Sequence, residues 1–248
     1  MKQTRLMMDM PITVEIADSG APDDAAEPAF EFFAWVDATF SRYRPNSEVS
    51  RINDGRLALE QASEPVRNVL ALAEETRRDT GGYFDVRRNG RLDPSGIVKG
   101  WAIHNAARLL RGNGFANLFV NAGGDSQIFG ECPEGGPWRV GIRSSFTPDA
   151  VVKVLALSNR GIATSGSYYR GGHIYDPLQA GPLETSVVSL TVVGLDIYEA
   201  DRFATVAFAM GERGAAFIEG LDGFEAYQIN AACIATRTSG FDQYVIPS

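Results

Sequence analysis

The sequence predicts an α+β fold of layered helices and antiparallel sheets. Amphipathic helical patterns dominate the first half of the chain, and a nearly continuous run of strand patterns follows from residue 117. Hydrophobic residues make up 44% and charged residues 22%, as is typical of a globular protein. Helices followed by strands, without alternating βαβ units, indicate an α+β domain and disfavour a Rossmann fold.

The first half is expected to supply one strand and three helices. Alternating polarity predicts a strand over 10–17, and apolar residues at helical spacing predict a helix over 28–43. A second helix is predicted to be capped by Ser63 and to stop at 80–85. A third is predicted over 98–111, closed by Gly112 and Gly114.

The second half is expected to be rich in strands. The predicted elements are strands 117–122, 138–143, 151–158 and 187–194, a corner at 161–166, a helix over 199–210 that closes at Gly211, and a final hairpin of 224–230 and 232–238. We expect one domain over 1–248, built as one body or as two closely packed α+β lobes.

Composition excludes several classes of protein. A formal net charge of −8, with 23 Lys and Arg residues spread along the chain, argues against a nucleic-acid binder. The two cysteines, Cys132 and Cys233, form no CxxC motif, so neither a disulfide framework nor a structural zinc site is expected. The N-terminal residues lack the apolar run of a signal peptide and no window approaches a membrane span, so we expect a cytoplasmic protein.

The first candidate for chemistry is Lys99, which lies near the start of a predicted helix. Gly96 and Gly100 would let a ligand approach the backbone closely, and unpaired N–H groups at a helix start attract anions. These features favour a phosphate contact. The alternative is a solvated lysine in the first turn of the helix.

A second candidate is the pair Asp201 and Thr205, four residues apart on a predicted helix. A carboxylate and a hydroxyl on one helix face are hard oxygen ligands of the kind that Mg²⁺ accepts. A purely structural role is equally compatible with the pattern, because Asp201 would stabilise the helix N-terminus and Thr205 could donate to a carbonyl one turn earlier.

Two further segments carry weaker signals. In residues 163–177, Thr164, Ser165 and Gly166 could offer backbone N–H groups to an anion, and His173 could accept a proton near neutral pH. A hairpin turning at 171–172 would account for the same segment. Asp125 follows two glycines that allow close backbone approach, although a plain turn at a strand end would look the same.

Six blocks of sequence resemble the ApbE-like FAD:protein FMN transferases, in the order found in that family. They are FSRYRPNSEVSRIN (40–53), TGGYFDV (80–86), SGIVKGWA (95–102), VNAGGD (120–125), ATSG with HIYDP (163–177) and ADRFATVAFAMG (200–211). The resemblance spans most of the chain and implies the ApbE-like, T-fold-related type of α+β fold.

The resemblance also implies a site. Gly96, Asp201 and Thr205 match the family's Mg²⁺ ligands, the first through its carbonyl, and Lys99 would face the diphosphate of FAD. Tyr43 matches an aromatic residue that stacks on the nucleotide, Asp125 a polar contact near the cofactor, and Thr164, Ser165 and Gly166 lie in the block that matches TSG.

The implied reaction attaches FMN through a phosphoester to a Thr or Ser hydroxyl of an acceptor flavoprotein and releases AMP. His173 matches the histidine suspected to accept the hydroxyl proton. An FAD pyrophosphatase, in which water replaces that hydroxyl, and a flavin-binding protein without chemistry are the alternatives.

The chain departs from the family pattern at a few places. Only RRNGR (87–91) separates FDV from LDPSG, where the family usually carries several dozen residues, so this is a short form. Asp9 replaces a family glycine, and His104 stands where an aspartate is usual.

Overall fold

A computed structural model describes residues 1–147, 150–166, 175–178 and 183–247 of the chain. The helices are α1 Glu27–Phe40, α2 Glu48–Asn53, α3 Glu64–Asp79, α4 Ser95–Gly112, α5 Ile197–Ala209 and α6 Gly214–Glu219. The strands are β1 Lys2–Met7, β2 Met10–Ile16, β3 Arg87–Arg88, β4 Arg91–Leu92, β5 Leu118–Ala122, β6 Asp125–Phe129, β7 Trp138–Arg143, β8 Val151–Leu157, β9 Arg160–Gly166, β10 Val187–Gly194, β11 Glu225–Asn230 and β12 Ala235–Arg237.

The centre of the fold is an eight-stranded sheet in the order β1-β2-β5-β6-β9-β10-β11-β12. Every neighbouring pair in it is antiparallel. Because side chains alternate between the two faces of a strand, the sheet has two apolar faces. The larger core lies against the helices, and a smaller core lies beneath the separate β7-β8 hairpin. The predicted α+β class with layered helices and antiparallel sheets is confirmed.

Most predicted elements are present, with shifted ends. Helix α4 begins at Ser95, three residues before the predicted start, so the glycines and lysine of that segment lie inside its first turns. Residues 161–166, predicted as a corner, belong to strand β9 in the interior of the sheet. Ser63 is the N-cap of α3 by its backbone angles, but its hydroxyl makes no capping hydrogen bond.

Tight turns account for two of the departures from the family pattern. Met8 and Asp9 both have positive φ, at 53° and 58°, and form the turn between β1 and β2. A left-handed turn is where glycine is favoured and aspartate is tolerated, which accounts for Asp9 at a family glycine. The short RRNGR segment closes as the β3-β4 hairpin, with its turn at Asn89 and Gly90.

Close backbone contacts hold α5 against its neighbours. A Cβ atom on Gly100 of α4 would lie 2.6 Å from the Cβ of Asp201, and one on Gly161 of β9 would lie 2.1 Å from the backbone N of Ile197. The buried Oε1 of Gln127 also accepts a hydrogen bond of 2.9 Å from the N–H of Ile197. Glycines at these positions therefore let α5 settle onto both α4 and the sheet.

Candidate functional site

The ends of β5, β6, β9 and β10 meet helices α4 and α5 around a cavity of about 610 Å³. This cavity brings together most of the predicted site residues from distant parts of the chain. Those lining it are Gly96, Lys99, Asp125, Thr164, Ser165, Gly166, Asp201 and Thr205.

Lys99 lies between two buried carboxylates. Its Nζ forms an ion pair with Asp125 Oδ2 and lies 3.3 Å from Asp201 Oδ1. The aspartate side chains are only 2% and 4% exposed, whereas the lysine side chain keeps 25% of its surface open to the cavity. Lys99 is therefore not a solvated lysine in the first turn of a helix.

Burial sets the protonation of this cluster. Burial acts to lower the pKa of Lys99, but the charges of Asp125 and Asp201 outweigh it and hold that pKa above its ordinary value. Burial raises the pKa of Asp201 to about 6, although Lys99 acts in the opposite direction. The ammonium group is thus protonated at neutral pH, and its charge offsets the two aspartates.

Asp125 also fixes the end of β9. Its Oδ1 accepts a hydrogen bond of 2.9 Å from the backbone N–H of Thr164. The Thr164 hydroxyl shares a 2.8 Å hydrogen bond with Thr191. The expectation that the Thr164 N–H is free for an anion is therefore wrong, because a carboxylate already occupies it. Ser165 and Gly166 pair with β10 in the same sheet.

Residues that carry oxygen ligands suitable for a divalent cation lie where α4 and α5 face each other. A Cβ on Gly96 would lie 3.5 Å from Thr205 Cγ2, so these two residues face each other. The N–H of Gly100 on α4 donates to Asp201 Oδ2 at 2.8 Å, which ties the carboxylate of α5 to α4. Gly96, Asp201 and Thr205 all line the cavity on this side.

The hydrogen bonding of Thr205 separates a ligand role from a structural one. Within the described residues the Thr205 hydroxyl makes no hydrogen bond. By contrast, Thr76 within α3 and Thr80 at the end of α3 each donate to the carbonyl four residues earlier. Back-bonding therefore does not account for Thr205. One carboxylate, one hydroxyl and one carbonyl fit Mg²⁺, which takes few protein ligands and keeps other positions for water and phosphate oxygens. No group of three or more His, Cys, Asp or Glu side chains suited to a metal occurs among the described residues.

One predicted residue, Tyr43, lies elsewhere. Tyr43 is 73% exposed and does not line the cavity. Arg42 links it to the rim, since its guanidinium donates to the Tyr43 hydroxyl at 2.5 Å and to Asp93 Oδ2 at 2.6 Å, and Asp93 does line the cavity. His173 and the proposed turn at 171–172 lie outside the described residues, so the role of this histidine stays a prediction.

Sequence reasoning missed part of the cavity wall. Arg139 and Arg143 of β7 line it, together with Asn121 and Ser126 of the main sheet. The alternation of apolar and polar residues in WRVGIR does predict that the arginines lie on the exposed face of the strand. What the pattern could not show was that this outward face borders the cavity.

His104 belongs to the packing of α5. Its Nδ1 is buried 3.6 Å from Asp196 Oδ1, the carboxylate that caps α5 by accepting from the Glu199 N–H at 3.0 Å. Burial lowers the pKa of His104. The residue thus lies beside the start of α5, and it is absent from the cavity lining.

Comparison with known proteins gives one family. The ApbE family model matches residues 8–89 and 86–228, and the two segments meet at the β3-β4 hairpin. The FAD:protein FMN transferase of Vibrio cholerae serotype O1 is 33% identical over 166 residues, which is 63% of this chain and 48% of that protein. That of Escherichia coli K12 is 33% identical over 147 residues, 56% of this chain and 42% of that protein. The matched part thus spans about half the length of these curated relatives.

Solved structures show the same fold. The flavin transferase ApbE from Vibrio cholerae has a TM-score of 0.84 at 23% identity and covers 98% of each chain. The ApbE protein from Thermotoga maritima has a TM-score of 0.85 at 20% identity, covering 100% of this chain and 99% of that one. These values confirm the ApbE-like type of α+β fold. Separately, none of the helices in the described ranges is long and apolar enough to cross a membrane.

Replacing Lys99 with methionine is expected to destabilise the protein in a pH-dependent way. Two buried carboxylates would lose their cation, at a cost of about 3 kcal/mol near pH 8. The pKa of Asp201 is about 6 in the folded protein, against an ordinary value of 3.8. A carboxyl group with a raised folded pKa favours folding at a pH below both values, and this contribution to stability is lost as the pH rises through the folded pKa. The cost should therefore shrink from pH 8 to pH 5. Urea unfolding at both pH values, without FAD or Mg²⁺, measures it.

Lys153→Met provides the control, because Lys153 lies on β8 and makes no ion pair within the described part of the chain. Equal losses of stability for the two variants, or a Lys99→Met cost that grows toward acid pH, would contradict the charge arrangement.

Proposed function

Since the chain belongs to the ApbE family, we propose that it is a Mg²⁺-dependent FAD:protein FMN transferase. It would attach FMN to a Thr or Ser hydroxyl of an acceptor flavoprotein and release AMP. The observation that carries this proposal is that Gly96, Lys99, Asp201 and Thr205 line one cavity, with Lys99 Nζ 3.3 Å from Asp201 Oδ1. An ammonium group opposite a hard oxygen set suits a diphosphate and its metal ion.

The metal would be held by the Gly96 carbonyl, the Asp201 carboxylate and the Thr205 hydroxyl. Bound Mg²⁺ supplies neutralisation of the charge that develops on the phosphate oxygens. Lys99 contributes a second positive charge at the same place, and its position is fixed by Asp125 and Asp201. Catalysis of phosphoryl transfer depends mainly on such positioning and charge neutralisation.

The reaction itself is a substitution at phosphorus. The acceptor hydroxyl oxygen forms a bond to the FMN-side phosphorus, and the bond from that phosphorus to the oxygen bridging to AMP breaks. AMP leaves with the electron pair of that bond. The hydroxyl proton passes to His173 in this proposal, because a histidine is the side chain best suited to accept a proton near neutral pH.

The remaining predicted contacts surround this centre. Asp125 and the Thr164–Gly166 strand end would border the cofactor from the sheet side. Tyr43 could stack on the nucleotide only where FAD extends past Arg42 and Asp93 to the rim.

The decisive experiment follows both products of FAD cleavage. The purified protein is incubated with FAD and Mg²⁺, with and without candidate acceptor flavoproteins, and AMP, free FMN and acceptor mass are measured. AMP only in the presence of acceptor, with an equal gain of FMN mass on it, is the expected result. AMP together with free FMN would instead identify an FAD pyrophosphatase, and bound FAD without AMP would identify a flavin-binding protein.

The metal assignment is tested at Thr205. Thr205→Val keeps the shape of the side chain and removes the hydroxyl, so the Mg²⁺ concentration for half-maximal activity should rise by at least about tenfold. Thr205→Ser restores the oxygen and should recover most of the loss. Titration of AMP release with Mg²⁺ measures both. An unchanged Mg²⁺ dependence in Thr205→Val would remove Thr205 from the proposed ligand set.

The proton acceptor is tested with the two histidines of the chain. His173→Asn should slow FMN transfer by about 10²-fold or more, as expected for loss of a general base, while FAD binding persists. His104→Asn is the matched control, because His104 does not line the cavity. Single-turnover transfer and flavin fluorescence separate the two effects. Transfer at the normal rate by His173→Asn would end the assignment.

A further inference from the structure

Strand β7 turns one face toward the core and the other toward the cavity. Trp138, Val140 and Ile142 are buried in the smaller core. Val140 also reaches the cavity. Arg139, Gly141 and Arg143 alternate with the buried residues, and all three line the cavity that holds the proposed phosphate site. This set of three residues is named the arginine strip.

The two arginines of the strip have no charged partner in the described part of the chain. Within residues 1–147, 150–166, 175–178 and 183–247, neither Arg139 nor Arg143 forms an ion pair or a hydrogen bond through its side chain. The acidic side chains of the cavity have other partners: Asp125 and Asp201 pair with Lys99, Asp93 pairs with Arg42, and Asp85 accepts a hydrogen bond from the Arg87 N–H. The β7 side of the cavity is therefore a positive region on a protein with a formal net charge of −8.

The chemistry of the reactants decides what this region would bind. The diphosphate is the only group of FAD that is ionised at neutral pH, and in the proposed function it lies at Lys99 and the metal ligands. The second reactant is the acceptor, which must bring a hydroxyl group and its flanking chain into the same cavity. Carboxylates beside that hydroxyl are the groups that two unpaired guanidinium ions would recognise best.

The shape of the strip suits an extended chain. Arg139 and Arg143 are four residues apart on one strand face, so their Cα atoms are separated by about 13 Å. Between them Gly141 carries no side chain, and the side chain of Val151 packs over it, because a Cβ there would lie 3.1 Å from Val151 Cγ1. Among the described strands, β7 pairs with β8 alone, which leaves its other edge unpaired. A chain with acidic residues on both sides of its hydroxyl could lie along this strand.

We propose that the arginine strip docks an extended, acidic segment of the acceptor protein, with its carboxylates at Arg139 and Arg143. This inference rests on the proposed function, because it names the partner of that same site. A positive strip on a protein of negative net charge attracts an acidic segment at one place, and the rest of the surface repels it.

Peptide binding to the FAD-loaded protein tests the inference. The probes are two labelled peptides that each contain a single threonine, flanked by glutamates in one and by glutamines in the other. At low ionic strength we expect the glutamate peptide to bind about tenfold more tightly, and this preference to fall at high salt. Arg139→Gln/Arg143→Gln should abolish the preference and leave FAD affinity unchanged. Fluorescence anisotropy measures peptide binding, and flavin fluorescence measures FAD binding.

Arg77→Gln/Arg78→Gln is the matched control, because both residues lie on α3, line no part of the cavity and carry the same total charge. It should keep the preference. Equal binding of the two peptides by the unmodified protein, or a preference that survives in the strip variant, would overturn the proposal. Weaker FAD binding in the strip variant would also overturn it, because the arginines would then belong to the dinucleotide site. Peptide binding requires no turnover, so its outcome is independent of whether FMN transfer occurs.

Discussion

The site depends on one buried charge arrangement, the Lys99 ammonium between the carboxylates of Asp125 and Asp201. Three elements meet there: α4 carries the lysine, β6 begins with Asp125, and α5 carries Asp201. Two buried carboxylates without this cation would repel each other and would each bear an uncompensated desolvation cost. The ion pairs therefore fix how the two helices stand on the sheet, and with that they place Gly96 opposite Thr205.

Backbone packing makes this arrangement possible. Gly100 lets α5 approach α4 so closely that its N–H can donate to Asp201. Gly161 allows the start of α5 to rest on β9 in the same way. The hydrogen bond from Gly100 ties the carboxylate of α5 to α4. Its consequence is that Gly96, Asp201 and Thr205 line the same cavity.

The cavity has two chemically different sides, and the difference suggests how two reactants could share it. Acidic groups and one lysine lie toward α4 and α5, where a metal ion and a diphosphate would balance them. Arginines without partners within the described chain lie toward β7. Separation of the two kinds of charge within the cavity orients the substrates, because each charged group of a substrate binds favourably on one side only. In the reversed orientation, like charges would face each other.

The sequence by itself determined the local elements and the family. Alternation located β2, β7 and β10, and helical periodicity located α1, α3 and α5. Six ordered blocks identified the ApbE resemblance and eight of the residues that line the cavity. Only the tertiary structure decided the start of α4, the occupied N–H of Thr164, the exposed place of Tyr43 and the position of the arginine strip. The reason is physical. Periodicity reports which face of an element is buried, whereas ion pairs and cavity walls join residues that lie far apart in the chain, as Lys99 and Asp201 do.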